Sequence, residues 1–253
     1  MGRDQALLLL GWVVLLALAE SWRGNGSREG TSDRRLVTNF GLTAMVLAAG
    51  ALFPIARVSA SAASQSLPIG VIHSAQWPWI AAFASVLIVE TLAAYWAHRI
   101  THRTPLLWRL HRVHHADDAV DLSTSFRNHP LELVVTIPVS VAVVLVLRTP
   151  PSVVIAMQTV LAGAALWQHA DLALPRRLDR ALAWVVVTPR VHRLHHNPAR
   201  ATHDSNYGEF FTFWDRVFGT FNPAEGRDRV GLDNQVAMSD ALLQQIWSPV
   251  HRV

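Results

Sequence analysis

The 253-residue chain contains no cysteine and no lysine. Without cysteine, no disulfide framework, thiolate metal site or iron–sulfur cluster can form. Charge of either sign is scarce, at 16% of residues, where a soluble domain carries about a quarter. All 22 basic residues are arginine, and the net charge is only +4. These arginines are scattered among apolar segments, whereas a nucleic-acid surface needs a clustered basic footprint; no nucleic-acid partner is expected. No tract rich enough in Gly, Ser or Pro separates two folded units. The polar stretch "SWRGNGSREGTSDRR" at 21–35 only joins two apolar segments.

What the chain has in excess is apolar length, with 51% hydrophobic residues. Five stretches stand out, at 6–19, 36–56, 77–97, 131–147 and 151–169. About 20 helical residues cross a bilayer core. The first stretch is short for a span, and is expected to be a retained helix rather than a signal peptide. The second and third are long enough, and the last two predict a helical hairpin with a very tight turn at Pro150 and Pro151. Together they predict an all-α, integral membrane helical bundle of about four or five helices. The arginine-rich loops hold Arg23, Arg28, Arg34 and Arg35 on one side, joined there by Arg99, Arg103, Arg109, Arg112 and Arg127. Arg3, Arg57 and Arg148 lie on the other. The arginine-rich side is expected to be cytoplasmic.

Histidine is the second excess: eleven of thirteen fall between residues 98 and 203. Eight sit in three words, "HRITH" at 98–102, "HRVHH" at 111–115 and "HRLHH" at 192–196. On a helix, positions i, i+3 and i+4 share a face, so each word makes a patch of two or three imidazoles. Neutral imidazole ligates iron, zinc or copper. One tetrahedral ion takes four ligands at most, so eight clustered histidines imply two metals. No His-Glu-x-x-His pair is present, which removes the zinc peptidase pattern. Isolated His73 and His251 are read as structural or surface residues. Ligating histidines usually pass their second ring proton to a nearby acceptor. Asp117, Asp118, Asp121, Asp171 and Asp204 are candidates by proximity, and Asn206 is a further hydrogen-bonding candidate. Glu90, inside the third stretch, is costly there and either faces the metals or pairs with an arginine. Arg99, Arg112 and Arg193, each following the first histidine of a word, are expected to pair with acids or headgroups. The tract Phe210, Phe211, Phe213, Trp214, Phe218 and Phe221 is expected to anchor at the interface or pack, or to wall the substrate's route.

The three words in this order resemble the membrane-bound fatty acid hydroxylase and sterol desaturase superfamily. The resemblance covers roughly 85–222 and extends to "DLSTSFRNHPLE" at 121–132, "QHADLALP" at 168–175 and "DSNYGEFFTFWDRVFGTF" at 204–221. It implies a di-iron oxygenase that uses O2 and external electrons to hydroxylate or desaturate an unactivated C–H bond of a lipid. The lipid is a fatty acyl chain, sterol or hopanoid, carotenoid or ether lipid. By position the implied ligands are His98, His102, His111, His114, His115, His192, His195 and His196. His129 and His169 are implied additions, and His203 is a further one. Zinc would fit the same imidazoles. Electrons would come from a separate reductase or small carrier.

The expected organisation is N-terminal membrane helices at 1–76, a catalytic domain at 77–222 and a tail at 223–253. The absence of lysine beside abundant alanine, valine and arginine suggests a bacterial inner membrane. Two other readings follow from the histidines alone: a membrane zinc hydrolase, and a histidine-rich metal-binding or transport protein.

Overall fold

The structure is a computed structural model that describes residues 3–24, 34–52, 57–66, 77–224, 229–232 and 241–250. Arg28, His73, His251 and the end of the second apolar stretch at 53–56 lie outside the described residues. Among the described residues there are twelve α-helices and no strand beyond one isolated bridge between Val186 and Phe211. Four helical segments are long and apolar enough to cross a membrane: Arg3–Arg23, Trp79–Arg103, Pro130–Leu147 and Pro151–His169. The protein is an integral membrane protein.

The first segment, α1 (Arg3–Arg23), is longer than the apolar stretch at 6–19 predicted. Its polar ends continue the helix because they find partners. Gln5 donates to the Ile155 carbonyl (2.9 Å) and to Thr159 Oγ1 (2.8 Å). At the other end Glu20 accepts the backbone N–H groups of Leu122 and Asp171, both at 2.7 Å. Between them only Leu16 is buried; Leu7, Leu8, Leu15 and Leu18 face outward, as lipid-facing side chains do. Next come α2 (Arg34–Leu52) and the short α3 (Arg57–Ser64).

The long α4 (Trp79–Arg103) ends because Pro105 forces Thr104 out of helical conformation. The same proline opens α5 (Pro105–His115), where its missing N–H costs nothing. After two single-turn 3-10 segments, α6 (Leu133–Leu147) and α7 (Pro151–His169) are joined by only three residues. Arg148 makes that turn in the left-handed region, at φ 48°, a conformation that strains a residue with a Cβ. Its guanidinium is tied to the Ser64 and Gln65 carbonyls at 3.1 and 2.6 Å, which holds the turn against the end of α3. The tight turn matches the expected hairpin, but its arms pack on α3 and α4 rather than chiefly on each other. Ala82, Val86 and Leu87 of α4 meet Val143 and Leu147 of α6 and Val153 and Met157 of α7 in the main apolar core. Two short helices, α8 (Arg176–Leu182) and α9 (Pro189–His195), follow.

This arrangement brings the C-terminal ends of α4 and α7 and the N-terminal end of α6 to one end of the bundle, beside α5 and α9. Under that end lies a buried ionic layer. Arg35 reaches Asp117 at 2.9 Å and is also paired with Asp121. Asn39 and Thr124 hydrogen-bond Asp117, at 3.1 and 2.7 Å. Arg127 joins Asn39 Oδ1 (3.0 Å) to the Val113 carbonyl (2.8 Å). Several arginines counted toward orientation are therefore structural. Removing one member of a buried ion pair strands the other charge and costs about 3–5 kcal/mol. Arg35→Met should accordingly lower the unfolding midpoint of the detergent-solubilised protein by that order. An unchanged midpoint would show that the layer carries no stability.

Candidate metal centre

Ten histidines were expected to meet, and nine do. His98, His102, His111, His115 and His195 form one group, and His114, His169, His192 and His196 form a second. Within each group the ring nitrogens lie within 4.8 Å of one another. All nine are buried. The helical period explains how they sort. Residues four apart stack on one face, so His98/His102 on α4 and His111/His115 on α5 enter the first group as pairs. His192 and His196, at the end of α9, enter the second. The remaining histidine of each H-x-x-H-H word points across: His114 to the second group and His195 to the first. The two groups are thus interlocked, with His115 stacked on His196 at 4.5 Å between ring centroids.

Thr188 caps α9 by accepting the Val191 N–H at 3.4 Å, and Pro189 opens the helix. His169 closes α7, where its Nδ1 bonds the Ala165 carbonyl at 2.7 Å.

The protons on these rings are dictated by their acceptors. Carbonyl oxygens only accept, so Nδ1 carries the hydrogen in His98 (to Tyr207 O, 2.9 Å), His195 (to Ser205 O, 2.8 Å), His114 (to Arg127 O, 3.0 Å) and His169. Each of these neutral rings then presents a bare Nε2 lone pair. Yet Nε2 of His98 lies 3.1 Å from Nε2 of His195, and Nε2 of His114 lies 3.0 Å from that of His169. Two lone pairs face each other in each group with no proton between them. Only a shared cation turns that repulsion into attraction. Burial holds His114, His115, His192 and His196 well below the ordinary imidazole range, neighbouring histidines adding to the effect. Burial also pushes His195 down to about 3. Protonation therefore does not supply the missing charge at neutral pH.

The spacing fits a metal. Nitrogens at right angles around an ion, each bonded at about 2.1 Å, stand about 3.0 Å apart, and tetrahedral ones about 3.4 Å. The observed Nε2 contacts run from 2.8 Å (His169–His192) to 3.1 Å. Among the described residues, both nitrogens of His102, Nε2 of His115, and Nδ1 of His192 and His196 also lack a hydrogen-bond partner.

The other expected residues stand apart from the two groups. Both nitrogens of His129 are engaged elsewhere: Nδ1 accepts the Leu131 N–H (3.2 Å) and Nε2 bonds the Ile246 carbonyl (3.1 Å). His203 stacks on Trp108 and forms with His102 and Asp204 a third, half-exposed trio. Asp204 stays 3.9 Å from both rings. Asp117 and Asp121 serve Arg35, and Asp171 pairs with Arg193 at 2.6 Å. Arg99 donates to Tyr95 Oη (3.2 Å) and Arg112 to the Ser248 carbonyl. Asn206, at φ 54°, shapes the loop by donating to the Val191 and Asn222 carbonyls. Glu90 is buried against Ser140 rather than at the rings. The aromatic tract packs: Phe210 and Phe211 lie on the main core, Phe218 on Tyr95, and Trp214 donates to Thr91.

The carboxylate that does touch a histidine is Glu132, 3.1 Å from His111 Nδ1. It sits three residues after His129 and closes a capping box with it; that spacing was the available signal. Asp215 was likewise not anticipated. It accepts the N–H groups of Tyr207 and Gly208 (2.7 and 2.8 Å), fixing the loop whose carbonyl orients His98. A Cβ at Gly208 would fall 2.4 Å from the Phe211 carbonyl oxygen, so only glycine fits there.

Fold and site together define a membrane-embedded polyhistidine metal-binding protein. The family model described as "Fatty acid hydroxylase" matches residues 83–220, more than half of the chain. The chain belongs to the fatty acid hydroxylase family and is an oxidoreductase of the monooxygenase type. It is 28% identical to an ornithine lipid hydroxylase, OlsE, of Rhizobium tropici over 97% of this chain and 75% of that protein. It is 32% and 29% identical to the alkylglycerol monooxygenases of Danio rerio and Homo sapiens, over 68% and 63% of this chain. The chain spans only 35% and 34% of those two proteins' own length. No solved structure gives a significant match.

The buried neutral rings give the metal-free fold a pH dependence. An unfolded histidine takes up a proton below about 6.5, but His195 in the fold does so only near 3. The unfolded state binds more protons throughout that window, so stability is full above about pH 6.5 and declines as pH falls toward 3. Thermal melts of the chelator-treated protein in detergent should fall steadily from pH 7 to 5; a flat profile would contradict buried neutral imidazoles.

Proposed function

We propose that the two histidine groups hold two iron ions, and that the protein hydroxylates, or desaturates, an alkyl position of a membrane lipid. The observation that carries this reading is the pair of proton-free Nε2–Nε2 contacts, His98–His195 and His114–His169. The relatives are named for an ornithine lipid, alkylglycerols and a fatty acid; each such molecule carries a long alkyl or acyl chain, which favours an alkyl-chain lipid over a sterol or carotenoid. Iron with O2 supplies an oxidant able to break an unactivated C–H bond, and zinc has no redox chemistry. Hydroxylation and desaturation each consume one O2 and two electrons from outside the chain, which a separate reductase or small carrier delivers.

In this reading the chain's own residues do three things. The backbone carbonyls of Tyr207, Arg127, Ala165 and Ser205 hold four rings in the tautomer that presents Nε2 inward. Glu132 accepts the His111 Nδ1 proton and increases that ligand's basicity. The apolar core formed by α4, α6 and α7 keeps bulk water from the rings on the membrane side.

Residues 77–222 are the proposed catalytic unit. We place the histidine layer on the cytoplasmic face of a bacterial inner membrane, because Arg23, Arg34, Arg99, Arg103 and Arg109 lie on its side. The zinc hydrolase reading is disfavoured because, among the described residues, the carboxylate hydrogen-bonded to a ring, Glu132, is committed to His111, and Asp204 stays 3.9 Å from His102 at the half-exposed edge. The transport reading expects a polar path through the spans; among the described residues the buried polar groups of the spans away from the histidine end are Glu90, Thr91 and Ser140.

Metal analysis of protein purified from iron-supplied cells should give two irons per chain. His114→Ala and His115→Ala should each lose metal and activity, while His129→Ala should keep both ions. Glu132→Gln should weaken metal retention or turnover about 10–100-fold. Whole-cell lipid mass spectrometry, with and without the gene, should reveal a product heavier by one oxygen or lighter by two hydrogens. Full activity in the His115→Ala protein would end the assignment.

A further inference from the structure

A hydrated dication must find a way to nine buried rings, and His203 and Asp204 stand where one opens. They form a trio with His102 in which one donor atom of each lies within 4.8 Å of the others. His102 belongs to the first histidine group as well, so it is the residue the two sets share. Its side chain is fully buried, yet neither of its nitrogens has a hydrogen-bond partner among the described residues. The side chain of Asp204, by contrast, is 32% exposed and that of His203 19%. On another flank Glu132 is 16% exposed and already bonded to His111, so it offers an incoming ion less. Trp108 holds the outer ring in place, stacking on His203 at 5.4 Å between ring centroids with 11° between the planes. It also meets the His102 and His115 rings, at 5.0 and 5.3 Å.

Two imidazoles and one carboxylate, with the remaining positions left to water, suit ferrous iron. Two donors bonded at about 2.1 Å to one ion can stand no more than about 4.2 Å apart. Asp204 Oδ1 lies 3.9 Å from Nδ1 of His102 and from Nε2 of His203, inside that limit. At that distance it makes no hydrogen bond to either ring. Asp204 does pair with Arg200 at 3.5 Å, but Arg200 is 87% exposed, and an exposed pair of this kind yields readily. The trio is looser and wetter than the inner groups, whose Nε2 contacts run from 2.8 to 3.1 Å. It therefore binds an ion more weakly, as a site that must pass its ion on has to.

We propose that His203, Asp204 and His102 form a transient ferrous-ion site through which metal enters the histidine layer. A neutral imidazole has one ring lone pair to give, so His102 cannot serve the trio and the first group together. The ion held outside is handed inward when His102 turns to the first group, and the loaded protein keeps two ions rather than three. The inference rests on the reading that the two groups hold iron.

Timed uptake of Fe2+ by the chelator-treated, full-length protein in detergent, without oxygen, provides the test. His203→Ala and Asp204→Asn should each slow uptake about tenfold, as loss of a steering charge or donor does, while the final content stays at two irons. A site on the path speeds travel in both directions, so removal of iron by ferrozine should slow by the same factor. A residue that only strengthened the first group would act differently, since its loss would hasten removal and lower the final content. Unchanged uptake in either variant overturns the proposal, and so does faster removal.

The native sequence gives an independent reading. Co2+ should quench tryptophan fluorescence in a fast phase at the trio and a slower one as the ion moves inward. Trp108→Phe should remove most of the fast phase. A single phase in the native protein, or a fast phase that survives in Trp108→Phe, overturns the proposal. Two-phase Co2+ uptake by protein that never retains iron sinks the two-iron reading and leaves this site standing.

Discussion

Two pairs of imidazole nitrogens, each stripped of its proton and aimed at the other across about 3 Å, set the terms for everything around them. In water such rings would turn or protonate. Here they do neither, because each Nδ1 is committed to a backbone carbonyl and burial opposes the charged form. The free energy of that arrangement is recovered only when a cation sits between the nitrogens. Metal affinity and fold stability are consequently linked.

Holding the rings in place requires rigidity from elements that carry no histidine at all. The ionic layer of Arg35, Asp117 and Asp121, continued through Asn39 to Arg127, ties α2 to the carbonyl that orients His114. Asp215 does the same for His98 by fixing the Tyr207–Gly208 turn. Glu20 at the end of α1 accepts N–H groups from both Leu122 and Asp171, so the first membrane helix also braces the segments that enter the site. Membrane spans and metal layer are mechanically one object, which suits an oxidant that must meet a chain arriving from the bilayer.

The residues most visible in the primary structure were those whose chemistry is their signal. Histidines at i, i+3 and i+4 announce a ligand face, and prolines at 105, 151 and 189 announce helix starts. Acidic neighbours were a poorer guide. Asp117 and Asp171 lie within a few positions of histidines yet serve Arg35 and Arg193, whereas Glu132, seventeen positions beyond His115, is the carboxylate that reaches a ring. His129 shows the same limit, since proximity to the motifs does not decide where its two nitrogens go.

Local periodicity and composition were enough to specify a membrane-embedded helical protein and three histidine-bearing faces with more imidazoles than one ion can take, because these depend on short-range spacing and on bulk transfer energetics. Which group each imidazole joins was settled only by the crossing of α4, α5, α7 and α9, which sends His114 and His195 to the group opposite their neighbours. The tautomers came from tertiary structure too, because the acceptors are backbone carbonyls, which every residue owns and no side chain advertises.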